Sequence, residues 1–424
     1  MAVVTTDEAR GESRDVYVPQ GNRNMAHHSY LSPDQKNVLI VEMGSRAQII
    51  PCRVVPFQGS GEAREDLRVV GPPDKPCFAG AWSPDGKSLY LNVETDKYHI
   101  WRMHFPGGQA EQVTFGPTSQ EGIAMAPDGK SLITSVGSKD STVWIHDEGG
   151  DRQVSSEGNA TAPTFSSDGK SLYFLMANGQ TQGAELWEKD LHGDDLQRLL
   201  PGYAMTSYSI SADGKTVVFA VNDQAGRSNL WIAPTNRRSS PVLLSPNTND
   251  DSPHFLSDGS LVFNANENGS NYLYRMKSDG SDRRRISPEP IIDAWVVSPD
   301  GRWFVAATKG PDEDHTSATK AFPVDGGEPL TLCLDFCGVG WDPSGKFVYV
   351  QYFDADNGVT YAIPLTRNSA IPKLPPSGIV DAAALKAMKG TTLIKQHIDS
   401  ALSPSVYAFT RSVTHRNLYR IPLQ

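Results

Sequence analysis

One short phrase, repeated along the chain, restricts the fold more than any other feature. An apolar residue is followed by Ser-Pro-Asp-Gly-Lys or a close variant, and then by an alternating run rich in β-formers. The copies are Leu31-Ser32-Pro33-Asp34, Trp82-Ser83-Pro84-Asp85-Gly86-Lys87, Met125-Ala126-Pro127-Asp128-Gly129-Lys130, Phe165-Ser166-Ser167-Asp168-Gly169-Lys170, Ile210-Ser211-Ala212-Asp213-Gly214-Lys215, Phe255-Leu256-Ser257-Asp258-Gly259, Val297-Ser298-Pro299-Asp300-Gly301-Arg302 and Trp341-Asp342-Pro343-Ser344-Gly345-Lys346. From Gly86 to Gly345 the spacing runs 43, 40, 45, 45, 42 and 44 residues. A period of that length is the mark of a repeat architecture. Asp-Gly between two apolar runs signals a tight hairpin, because glycine accepts the positive φ that such turns demand. Proline suits the corner and would be poor inside a central strand.

A second phrase lies further along each unit: Ile100-Trp101-Arg102, Val143-Trp144-Ile145, Leu186-Trp187-Glu188, Leu230-Trp231-Ile232 and Leu273-Tyr274-Arg275. Its aromatic recurs at intervals of 43, 43, 44 and 43 residues. A glycine-bearing turn and a short polar strand usually follow. Each unit therefore reads as four short antiparallel strands. A lone sheet of this kind has two faces to bury, and radial stacking around an axis buries both while protecting most strand edges. The predicted fold class is all-β, a β-propeller of four-stranded antiparallel blades. Repeat-locked spacing assigns Trp82, Trp101, Trp144, Trp187, Trp231 and Trp341 to packing between blades.

Eight units precede residue 378. In the tail, Leu393 to Ile398, Ser405 to Thr410 and Asn417 to Pro422 read as first, second and third strands. Asp15-Val16-Tyr17-Val18-Pro19 is the candidate for the missing fourth strand, so that a blade shared by both termini fastens the ring. The count is eight or nine blades, and the tail tips the reading to nine. The predicted organisation is a flexible tail over 1–13 and a single propeller over 14–424. A helical insertion interrupts it at about 379–390, with Asp381 as N-cap and Gly390 as the stop.

Composition adds exclusions. The formal net charge of −10 disfavours nonspecific attraction to nucleic acid or anionic lipid. No run approaches the roughly 18 apolar residues of a membrane span, so no membrane insertion is expected. Residues Met1 to Gln20 lack the apolar core of a signal peptide, so the chain reads as soluble and without an export signal. The Arg283-Arg284-Arg285 run reads as a solvated edge. Cys333 and Cys337 would lie about 13 Å apart in extended chain, too far for a disulfide unless a tight turn falls between them. The four cysteines are read as buried free thiols.

The Ser-Pro-Asp-Gly-Lys phrase followed by a Leu-Trp or Ile-Trp strand resembles the TolB-type propeller repeat, which is related in shape to WD repeats. The likeness covers roughly Val16 to Gln424 and bears on fold far more than on function. More narrowly, Arg14 to Pro19, Met25-Ala26-His27-His28-Ser29-Tyr30-Leu31-Ser32-Pro33-Asp34 and Glu121 to Gly129 resemble the C-terminal sensor propeller of certain bacterial serine/threonine protein kinases. That resemblance implies a sensor domain, extracytoplasmic if it is detached from a membrane-anchored kinase. The chain itself has no Gly-rich loop, catalytic His-Arg-Asp or Asp-Phe-Gly.

Propellers usually bind at one mouth of the central channel. Aligned positions six residues before the turn proline or its counterpart are His27, Phe78, Glu121, Thr161, Thr206, Asp251 and Cys337, with Asp293 matching in its own unit. Glu121, Asp251 and Asp293 would give that mouth a negative rim suited to a cation or basic peptide, with His27 and His28 adding ligands. The competing reading is of solvated loop residues that happen to align. The expected function is non-catalytic sensing or interaction by a monomer, with a protein, peptide or small ligand as partner. Neither a cofactor nor a metal is called for. The alternative is a stand-alone propeller enzyme, of lyase or hydrolase type, with its site in the central channel. A metal-dependent lyase would need converging histidines, whereas the ten here are scattered. A hydrolase would need a Gly-x-Ser-x-Gly turn, which the chain lacks.

Overall fold

The computed structural model describes every residue except 1, 8–9, 20–24, 44–49, 59–67, 96, 156–158, 178–182, 225, 247, 313–314, 353–357, 368, 376 and 424. The repeated phrase forms the same turn throughout. Ser83 Oγ donates to Asp85 Oδ1 at 2.7 Å, and Asp85 Oδ1 accepts from the Lys87 amide at 3.1 Å. Ser83 Oγ also accepts from the Ser88 amide at 2.8 Å, and Gly86 closes the turn at φ 69. The same clamp recurs at Ser32, Ser166, Ser211 and Ser298. It explains why Ser and Asp recur two apart: each satisfies backbone donors that the turn leaves free. Where Asp342 replaces the serine, its Oδ1 takes the Phe347 amide at 2.6 Å.

Among the described residues the strands form seven four-stranded sheets, one five-stranded sheet and a two-stranded ribbon, with antiparallel registers throughout. The chain divides into two compact units, Met1–Lys139 with Val413–Gln424, and Asp140–Ser412.

In Asp140–Ser412, core clusters join successive sheets in a cycle. Tyr173 and Leu175 pack with Val217 and Phe219, and Val218 and Ala220 with Leu261 and Phe263. Val262 and Leu273 meet Phe304 and Ala306, and Val305 and Ala321 meet Val348 and Val350. Tyr349 and Ala362 pack with Tyr407 and Phe409, and Ala408 with Val143, Leu172 and Phe174, back at the starting sheet. This is a closed ring of sheets, a β-propeller. The helix Ala382–Ala387 lies in this unit with Asp381 as its N-cap, the Oδ1 accepting from the Ala384 amide at 2.7 Å.

In the other unit, the sheets of Met25–Leu31 and Cys77–Trp82 meet through Leu39, Val41, Trp82 and Leu91. Tyr90, Ile100 and Leu132 carry the core onward to Ile421 and Leu423.

Three sequence expectations change here. Four short strands were expected in every unit, but Ser131–Asp147 and Val406–Pro422 are single strands of 17 residues each. Each replaces a hairpin. The two pair with one another, so residues up to Lys139 meet 413–422 while 140–147 meet 406–412. The contacts run in reverse order along the two strands, Thr142 with Arg411 and Ser131 with Arg420. The closing sheet of Asp140–Ser412 is therefore completed by 140–147 and Gly150–Gln153, not by Asp15–Pro19. The Asp15 segment belongs to Glu12–Tyr17, paired with Val3–Asp7. Val16 and Tyr17 are buried against Val38, Ile40 and Val55, and Tyr17 Oη donates to Glu42 at 2.8 Å, which holds this strand on the first repeat.

The cysteines are not free thiols. Cys52 pairs with Cys77 and Cys333 with Cys337, at Cα separations of 5.3 and 6.2 Å. Asp335 at φ 63 supplies the tight turn that shortens the second span. The first bridge links two neighbouring sheets across 25 residues. The double variant Cys52→Ser/Cys77→Ser is expected to lose about 3.5 kcal/mol through the loop-closure entropy of the unfolded chain. Chemical denaturation of oxidised wild type and variant measures that difference.

Candidate functional site

Seven of the eight aligned positions sit at or beside a recurrent irregularity, Cys337 being in unbroken register. Registers slip between Ala26 and His28, Cys77 and Ala79, Glu121 and Ala124, Thr161 and Thr164, Met205 and Ser207, Asp251 and His254, and Ala294 and Val296. Ala162 and Ser252, inside two of these slips, have φ of 54 and 49. A β-bulge re-aims side chains on the strand that carries it, so the spacing located a real structural feature.

The acids at those positions have local partners. Glu121 forms an ion pair with Arg416. Asp251 is buried and accepts from Ser252 Oγ at 2.8 Å. Asp293 accepts from Trp295 Nε1 at 3.1 Å and so orients that ring. The rings of His27 and His28 lie 4.1 Å apart on an exposed stretch, and burial followed by the neighbouring His27 lowers the His28 pKa. The five proposed residues are divided between the two units: His27, His28 and Glu121 in one, Asp251 and Asp293 in the other.

What the spacing pointed beside, without naming, is a cavity of about 600 Å³ inside Asp140–Ser412. Six inner strands line it: Asn159–Phe165, Met205–Ile210, Asp250–Phe255, Asp293–Val297, Cys337–Trp341 and Ser400–Ser403. Serine hydroxyls tie neighbours together, Ser209 Oγ accepting from the Phe255 amide and Ser400 Oγ from the Phe165 amide, each at 3.3 Å. His254 and Trp295 reach the wall, while Asp251 and Asp293 on the same strands do not. Burial pushes the His254 pKa down to about 4.

The Cys337–Trp341 strand carries two glycines, and they shape the wall. A Cβ on Gly340 would meet nothing within 4 Å, and Gly338 leaves room for the Gln351 side chain. Through that opening the second strand of the sheet, Phe347–Tyr352, contributes Tyr349 and Gln351. The alternation Gly338-Val339-Gly340-Trp341 was the signal in the sequence for this opening. Trp341 packs in the core as expected and also lines the cavity.

Asp399 contributes the carboxylate. Its Oδ2 accepts from the Thr410 amide at 2.7 Å and from Thr410 Oγ1 at 2.8 Å. The carboxylate opens to the cavity, yet burial raises its pKa above the ordinary range, with Thr410 and then His397 pulling the other way. Among the described residues no group of three or more His, Cys, Asp and Glu is placed to hold a metal ion. No helix among them is long and apolar enough to cross a membrane.

The sequence matches no family model. It is 25% identical over 307 residues to the uncharacterized protein Atu1656 of Agrobacterium fabrum, covering 68% of this chain and 89% of that one. Among solved structures, one described as TolB from Agrobacterium tumefaciens aligns with a TM-score of 0.48 at 18% identity, over 65% of this chain and 99% of that one. TolB from Acinetobacter baumannii aligns at 0.31 and 19%, over 65% and 66%. Oligogalacturonate lyase from Vibrio parahaemolyticus aligns at 0.37 and 12%, over 81% and 82%.

Proposed function

We propose that this chain is an interaction propeller that captures a ligand in the channel of Asp140–Ser412, and that it senses or recruits rather than catalyses. The observation that carries this reading is the cavity itself. Its volume of about 600 Å³ falls within the range of small-molecule and peptide-end sites. Its wall combines aromatic faces with a few fixed polar groups, the composition that orients a ligand. The resemblance to kinase-linked sensor propellers supports the same direction. The two disulfides support residence in an oxidising compartment, where such bonds persist.

Gly340→Leu tests the channel directly. The new side chain enters open space at a residue without positive φ, so the fold should survive. Ligands found by thermal shift on wild type should lose their effect on Gly340→Leu, because a ligand that binds only the native state raises its melting temperature by mass action. Equal shifts on both proteins would move binding away from the channel and overturn the proposal.

A further inference from the structure

We infer, resting on the channel reading above, that the group entering the cavity is cationic: an amine or guanidinium held between the Asp399 carboxylate and the aromatic wall. Four observations carry this. First, among the described lining residues Asp399 is the one carboxylate, and neither lysine nor arginine is present to balance it. Second, both hydrogen bonds from Thr410 go to Oδ2, which fixes the carboxylate and leaves Oδ1 free of them, with the His397 ring as its electrostatic neighbour. A charge in that setting pays for its lost hydration unless an opposite charge joins it. Third, Trp295 and Trp341 have already committed their N–H groups, to Asp293 at 3.1 Å and to the Ala370 carbonyl at 2.7 Å. What they offer the cavity is ring, and ring faces attract cations. Fourth, Tyr349 adds a further ring to the same wall.

The same wall disfavours polyanions. A site for oligomeric uronic acids would need cationic side chains to offset each carboxylate, and the described lining supplies none beyond His254 and His397. His254 is held neutral by burial.

Isothermal titration with three probes separates the possibilities: trilysine as cation, chitotriose as neutral polyol and trigalacturonate as anion. Each is titrated into wild type, Gly340→Leu and Asp399→Asn. Trilysine is expected to bind wild type, to lose affinity roughly tenfold in Asp399→Asn, and to lose binding in Gly340→Leu. Asparagine retains an oxygen for Thr410, and Asp399→Ser substitutes if it does not fold. If chitotriose or trigalacturonate binds in a Gly340-dependent way and trilysine does not, the channel reading stands and the cationic assignment is overturned. Trilysine binding that ignores Asp399→Asn overturns the assignment as well. If none of the probes depends on Gly340, both readings fail.

Discussion

Gly137→Ala should destabilise Met1–Lys139/Val413–Gln424 by about 3 kcal/mol or more, while Gly107→Ala should be close to neutral. Both glycines have ordinary negative-φ backbone, so the difference is one of space. A Cβ at Gly107 meets nothing within 4 Å, whereas at Gly137 it meets the His415 carbonyl oxygen and the Arg416 Cα at 2.8 Å. Those atoms are backbone, and they cannot swing aside as a flexible side chain would. The prediction discriminates between topologies. Were 131–147 a hairpin, as the repeat pattern suggests, Gly137 would stand beside its turn and no strand from residue 415 would cross it. Amide exchange checks the result locally. Protection over 131–137 and 413–422 should fall in Gly137→Ala and persist in Gly107→Ala. Unchanged protection would show that the two long strands do not exchange.

The second large effect is a loss of stability in mild acid. His254 titrates near 4 in the folded state and near its ordinary value once unfolded. Between those values the unfolded chain binds a proton that the folded chain does not, so stability rises with pH across the window and falls on acidification. The full difference is about 3 kcal/mol, reached once the pH is below 4. Asp399 works in the opposite sense, because its raised pKa means that the folded state takes its proton first. Its contribution favours the folded form as the pH drops. The His254→Gln variant removes only the first effect. Denaturation at pH 7 and pH 4.5 should show wild type losing markedly more stability than the variant. Parallel losses would exclude His254 as the source.

Much of the fold was legible because the turn chemistry is local. Ser-x-Asp-Gly satisfies its own backbone, so the phrase means the same thing wherever it stands. The helix cap at Asp381 was legible for the same reason. The strand exchange was not, because nothing within 131–147 distinguishes a hairpin from an extended strand. That choice depends on residues some 290 positions away, where Arg420 meets Ser131 and Asp128. The Cys52–Cys77 bridge escaped notice likewise, since it depends on which sheets become neighbours. At the site, equal spacing found the bulged positions but not which side chain after each bulge turns inward. Asp251 and Asp293 were chosen for their charge, and the residues that reach the cavity are His254 and Trp295. Asp399 and Tyr349 lie outside the aligned positions altogether, one in the tail and one on a second strand seen through Gly340.

The exchange of strands also sets an order of events during synthesis. The third repeat is made early, yet its sheet lacks a strand until residues 413–422 emerge from the ribosome. Until then the long strand Ser131–Asp147 presents an unpaired edge for the time needed to translate more than half the protein. Contacts of such sequence separation slow folding and leave intermediates open to wrong partners. A nascent chain of this design is therefore open to wrong pairing for longer than one whose repeats close locally, and a premature stop in the final repeat would remove a strand from the first unit.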